Sequence, residues 1–111
     1  MKDVIEQSKQ LNTRIKQSAE YRKYLDTKRV LYDNKELYNQ LRDFRNRNNA
    51  IQAKQSGDIF DEMNALLREY DELLHNSIVS DFMNAEQRIC KMMQQMYGEL
   101  AEGLEFDYLD E

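Results

Sequence analysis

Apolar residues recur along most of this chain at intervals of three and four, the spacing that places side chains on one face of an α-helix. Five helical segments follow from that period. The first, about Asp3–Gln17, opens on a possible aspartate cap and sets Val4, Leu11 and Ile15 on one side. The second follows Ser18, whose hydroxyl is suited to cap a helix start, and groups Tyr21, Tyr24, Leu25 and Tyr32, with Val30 on the opposite side. Asp33 and Glu36 in "DNKE" have the spacing of a capping box, so a third helix or a kink begins there. It carries Leu37, Leu41, Phe44, Asn48 and Ile51 at spacings of four, three, four and three, a heptad seam with one polar member. Asn48 either fixes register against a partner helix or turns to solvent.

"QSGD" is the clearest break, with Gly57 to turn and Asp58 to cap, and so short a connection joins antiparallel neighbours. Ile59, Met63, Leu66, Leu67, Tyr70, Leu73 and Leu74 then form one broad apolar face, and Asn76 or Ser77 can cap the final helix. On that helix Ile78, Phe82, Ala85, Ile89, Met92 and Met96 fall on a single stripe, widened by Val79, Met93, Tyr97 and Leu100. Met83 alone among the methionines of this helix lies outside it. Methionine is unbranched and adaptable, so the stripe suits an internal core or a surface that packs against another subunit. Glu86 sits at its edge and requires a basic or amide partner, or a path to water.

These elements predict an all-α fold: an antiparallel bundle of about four to five helices, two of them long, that associates with itself. Residues 1–103 form the one helical domain, and 104–111 an acidic C-terminal tail. Proline is absent and there are three glycines, which removes the punctuation that sheets and hairpins need. Hydrophobic residues make up 41% of the chain, too many for a disordered segment despite 33% charged residues. A domain of 111 residues buries a modest share of its surface alone, which favours self-association as a dimer or tetramer. No apolar run is long enough to span a membrane and the first ten residues lack a signal peptide's apolar core, so a cytoplasmic location without membrane insertion is expected.

The net charge of −5 conceals an asymmetry: residues 1–56 carry 13 Lys and Arg against 7 Asp and Glu, whereas residues 57–111 carry 3 against 14. The two halves either fold onto each other, or onto another subunit, or the basic half meets nucleic acid. In the last case Arg14, Lys16, Arg22, Lys23, Lys28 and Arg29 would contact phosphates and Tyr21 or Tyr24 would stack on bases. The net acidity disfavours it.

Little in the chain suggests catalysis, and no cofactor or metal is expected. His75 lies 15 residues from the lone Cys90 without a supporting motif, so a Cys/His enzyme is not indicated, and Cys90 reads as a core or boundary residue. Glu72 and His75 in "ELLH" have the spacing of a di-iron ligand pair, but such sites need two of these motifs and two further glutamates facing inward. "DIFDE" lacks the ligand alternation of a calcium loop and reads as a helix start. The tail "LEFDYLDE" alternates Leu104, Phe106 and Tyr108 with polar residues after Gly103, a natural helix stop; it frays or lies extended against a groove.

The stretches "SAEYRKYLDTKRVLYDNKELYNQLRDFR" and "VSDFMNAEQRICKMMQQMYGEL" resemble the YlbF/YmcA/YheA family of small bacterial helical proteins, over about residues 4–103. The most specific pieces are Ser18, Glu20 and Tyr21, then Leu41 and Phe44, then Phe82, Ala85 and Glu86. The resemblance implies a self-associating bundle without an active site, a regulatory adaptor. It also implies partners: family-related proteins and a complex that modulates the endonuclease initiating messenger RNA decay, with effects on competence, biofilm formation and sporulation. On this reading Phe44, Asn48, Ile51, Phe82, Ala85, Glu86, Ile89, Met92, Met93 and Met96 form the oligomer or partner interface.

Overall fold

The structure is a computed structural model that describes residues 1–54 and 57–105. Six helices are present among them: α1 (Lys2–Gln17), α2 (Ala19–Asp33), α3 (Lys35–Gln52), α4 (Ile59–Glu69), α5 (Asp71–His75) and α6 (Ser77–Ala101). The chain is all-α, with no strand among the described residues.

Most boundaries are set by side chains that satisfy the backbone N–H groups a helix start leaves unpaired. The Ser18 hydroxyl accepts from the Tyr21 N–H at 3.2 Å, and the Asp58 carboxylate accepts from that of Asp61 at 3.1 Å. Asn76 Oδ1 accepts from both Ile78 and Val79, at 2.9 and 3.4 Å, and so starts the 25-residue α6. Gly57 supplies the turn before α4 with φ +101°, and Gly103 ends the run after α6 with φ +78°, both conformations that a side chain resists. Gln55 and Ser56 of the "QSGD" break, and the tail from Phe106 onward, lie outside the described residues.

Two starts differ from the expected ones. Asn34, not Asp33, caps α3, accepting from the Leu37 N–H at 3.3 Å, because α2 keeps Asp33 as its last residue. α1 begins at Lys2 without a side-chain cap, and Asp3 lies inside its first turn, where a negative charge still complements the helix dipole.

The apolar face expected to run unbroken from Ile59 to Leu74 is divided at Tyr70, whose φ −102° and ψ 19° leave the helical region. The bend lets the Tyr70 ring meet Phe44 edge-on, with centroids 5.3 Å apart, while Leu73 turns into the core. Leu67, on the outer side of that bend, is exposed as a result.

The core is a single cluster of Leu31, Leu41, Phe44, Leu66, Leu73, Val79 and Phe82, continued along α6 by Ala85 and Ile89. α2 packs along α6, α3 and α4 form a hairpin, and α5 bridges from α3 to α6. α6 therefore has neighbours on more than one side, which is why Met83 is half-buried against the core although it lies off the main stripe. Cys90, expected in the core or at its boundary, is exposed: Ile89 takes the inward position, and the next residue is turned about 100° away.

The molecule is thin, 51 × 37 × 17 Å, against a helix diameter of about 10–12 Å with side chains. Its radius of gyration is 18.5 Å, where a compact domain of this length would have about 13 Å. α1 has α2 as its one substantial packing partner, and Val4 on its apolar side is 67% exposed.

Neighbouring residues of α2 give a direct test of the core. Leu31 is 1% exposed and Val30 is 46% exposed. Leu31→Ala should cost about 2–5 kcal/mol in urea unfolding, and Val30→Ala no more than about 0.5 kcal/mol. Equal costs would show that α2 presents a different face to α6.

Candidate interaction surfaces

Three helices meet at Phe82. From α2 the Tyr24 ring approaches it at a centroid distance of 5.7 Å, and from α3 the Arg45 guanidinium lies over it at 5.6 Å. Arg45 then forks onto the carboxylate of Glu86, one turn further along α6, with N–O distances of 3.1 and 2.5 Å. The predicted need of Glu86 for a basic partner is met here. A planar guanidinium holds both carboxylate oxygens in one geometry, so the pair fixes the rotation of α3 relative to α6.

Two further ion pairs join the same two halves of the sequence. Arg47 binds Glu69, and Lys54 Nζ meets Glu62 Oε1 at 2.6 Å. The later residue of α3's segment pairs with the earlier residue of α4, so this hairpin is antiparallel, as the short "QSGD" connection predicted. Arg47 also donates to the Tyr70 hydroxyl at 3.4 Å, and that bond, followed by the one to Glu69, raises the guanidinium pKa above its ordinary value.

The basic and acidic halves thus fold onto each other, through Arg45, Arg47 and Lys54. The residues of α1 and α2 named as phosphate contacts take no part. Arg14, Lys16, Arg22 and Lys23 are exposed, Arg29 reaches only Asp26 on its own helix at 3.7 Å, and Lys28 lies over the Tyr24 and Tyr32 rings at 5.7 and 5.2 Å. Tyr24 packs on Phe82 and Tyr21 is half-buried beside the Ser18 cap, so neither ring is free to stack on a base as expected.

The residues assigned to an oligomer or partner interface divide into two groups. Phe44, Phe82, Ala85 and Ile89 are buried inside the chain itself, and Ile51 packs against the same cluster. Asn48 is half-buried and accepts from Gln52 Nε2 at 3.3 Å, so its amide is satisfied within α3. Met92, Met93 and Met96 remain half-buried, followed by exposed Tyr97 and Leu100. Only this distal part of the α6 stripe is open for another chain.

A groove of about 330 Å³ lies between α2, α3 and α6. Leu31, Leu41 and Phe82 form its floor, the Tyr32 and Tyr38 rings, 4.5 Å apart, stand at one side, and Arg42, Arg45, Asn46 and Asn49 line the other. The sequence reading missed this polar row. Its signal was present in residues 42, 45, 46 and 49, a second helical stripe flanking the apolar seam of α3.

Among the described residues no group of three or more His, Cys, Asp and Glu is placed to share a metal ion, and Glu72 and His75 are both exposed or half-exposed on the outer side of α5. No helix among them is long and apolar enough to cross a membrane. The family model described as control of competence regulator ComK, YlbF/YmcA matches residues 4–105. No curated protein and no solved structure matches the chain.

If the Arg45–Glu86 fork sets the α3–α6 geometry, a double-mutant cycle with Arg45→Met and Glu86→Gln should return a coupling of about 1 kcal/mol, modest because both side chains are partly exposed. A coupling of zero would mean that the core alone sets this geometry.

Proposed function

The chain belongs to the YlbF/YmcA family, and on that premise we propose that it is a non-enzymatic regulatory adaptor that self-associates and binds a protein partner in the cytoplasm. The observation that carries this reading is the match of a family of competence-control proteins to residues 4–105, nearly the whole chain. A regulator of this size acts by presenting surfaces, and this one has two kinds. Its open apolar faces, on α1 and on distal α6, suit association between copies. Its groove, with an apolar floor and a row of arginine and asparagine side chains, suits a segment of a different protein.

The groove chemistry supports a peptide-like partner. Arg42 has only its sequence neighbour Asp43, at 3.7 Å, so its charge is available, and the Asn46 and Asn49 amides can donate to and accept from an extended backbone. The regulated process follows the family, control of competence, with messenger RNA decay, biofilm formation and sporulation as its finer extension and a ribonuclease complex among the partners.

Affinity capture of the tagged protein from its native cytosol, with mass spectrometry of what is retained, tests the reading. Protein partners should survive nuclease treatment and high salt, because an apolar-floored groove responds weakly to ionic strength. The double variant Arg42→Glu, Asn46→Ala should lose most of the captured partner while melting like wild type. Release of all bound material by nuclease, with retention falling steeply in salt, would replace the adaptor with an RNA-binding protein using the basic half.

A further inference from the structure

Two apolar surfaces are left open by this fold, and they match each other. On α1 the row is Val4, Ser8, Leu11 and Ile15; on α6 it is Ile89, Met93, Met96 and Leu100. Both rows step by four, three and four, the period of a two-helix seam. Ser8 interrupts the first row without leaving an open polar group, because its hydroxyl donates to the Val4 carbonyl at 2.9 Å. Ile89 is already covered within the chain, so the free part of the second row starts at Met92; Leu100 at its end is 58% exposed.

The charges around the two rows are opposite. α1 carries Lys2, Lys9, Arg14 and Lys16 against Asp3 and Glu6, a net +2. Residues 92–105 carry Glu99, Glu102 and Glu105 and no cation. The chain does not bring the two rows together itself, since α2 is the one substantial packing partner of α1.

We infer that α1 of one copy packs on the distal α6 stripe of a second copy, and reciprocally, forming a two-fold dimer. The inference rests on the self-association proposed above and assigns it to these two faces. A single contact between helices of this length is small against the roughly 800 Å² that each partner of a stable dimer buries, and two-fold reciprocity doubles it. The second copy is the occupant that the chain's own period and charge fit. Met92, Met93 and Met96 can adapt to the gap beside Ser8.

Leu11→Glu and Met96→Lys test this by light scattering, with helicity and melting followed in parallel. Each places a charge at the middle of one row and opposite a surface of like sign. Each variant alone should raise the dimer dissociation constant by about 100-fold or more. An equimolar mixture should recover to within about 10-fold of wild type, because in the mixed dimer the introduced carboxylate on α1 faces the introduced ammonium on α6, and the other contact is unaltered. A dimer retained by either folded variant alone overturns the assignment, as does a mixture that stays monomeric, while leaving self-association itself standing. If either variant loses its helicity, Val4→Glu and Leu100→Lys, both at exposed positions, take its place with the same two criteria. A monomeric wild type overturns both the assignment and the self-association reading, while the adaptor's partner capture stands as a separate result.

Discussion

The contact on which this fold turns is Phe82, where α2, α3 and α6 come within one side chain of each other. Its ring is 4% exposed, closed on one side by Tyr24 and on another by the Arg45 guanidinium. The arginine serves two needs at once. Its flat face covers an aromatic ring, and its edge neutralises the carboxylate of Glu86 beside the stripe, so an ion that would be costly at this position becomes a clamp. Without it, the packing of apolar side chains would fix how deep α3 sits but would only weakly fix its rotation, because apolar contact has little directionality.

What this junction can hold together is limited by the amount of chain around it. The core runs from Leu31 and Leu41 through Leu73 and Val79 to Ile89, and beyond Ile89 α6 continues for about three more turns with no comparable cover. At the other end α1 leaves α2 at Ser18, whose extended conformation, φ −68° and ψ 149°, redirects the chain. A longer protein would fold another helix over these two ends. In this one they stay open at opposite charge, so the same shortage that makes the monomer thin also supplies what one copy can offer another.

Much of this was legible in the sequence, for local reasons. Ser18, Asp58 and Asn76 cap the helices predicted to start there, and Gly57 and Gly103 take the left-handed conformations that glycine tolerates, because capping and turn chemistry depend on few neighbours. The α6 stripe from Ile78 to Ile89 was equally clear from its period. The misses are tertiary. Tyr70 breaks an otherwise continuous helix in order to meet Phe44 and Arg47, and no spacing rule registers a partner in another helix. Asp33 and Asn34 are both good caps, and the one-residue choice between them depends on how far α2 can extend while Leu31 stays buried. Cys90 looked internal by residue type and is external by phase, where the period was the better guide.

The charge asymmetry illustrates the same division between composition and place. Composition shows a basic half and an acidic half, and among the described residues the fold joins them through Arg45, Arg47 and Lys54. The cations of α1 and α2 form no ion pair across the halves there, so the complementarity is only partly used inside one chain. The acidic residues left over include Glu99 and Glu102 on distal α6, beside the apolar row that nothing covers. Exposed ion pairs contribute roughly 0–1 kcal/mol each, too little to drive assembly. They do discriminate between arrangements: α1 against α1, or distal α6 against distal α6, would oppose like charges, whereas α1 against distal α6 opposes unlike ones. Apolar area therefore makes association favourable, and the unpaired charge selects which face meets which.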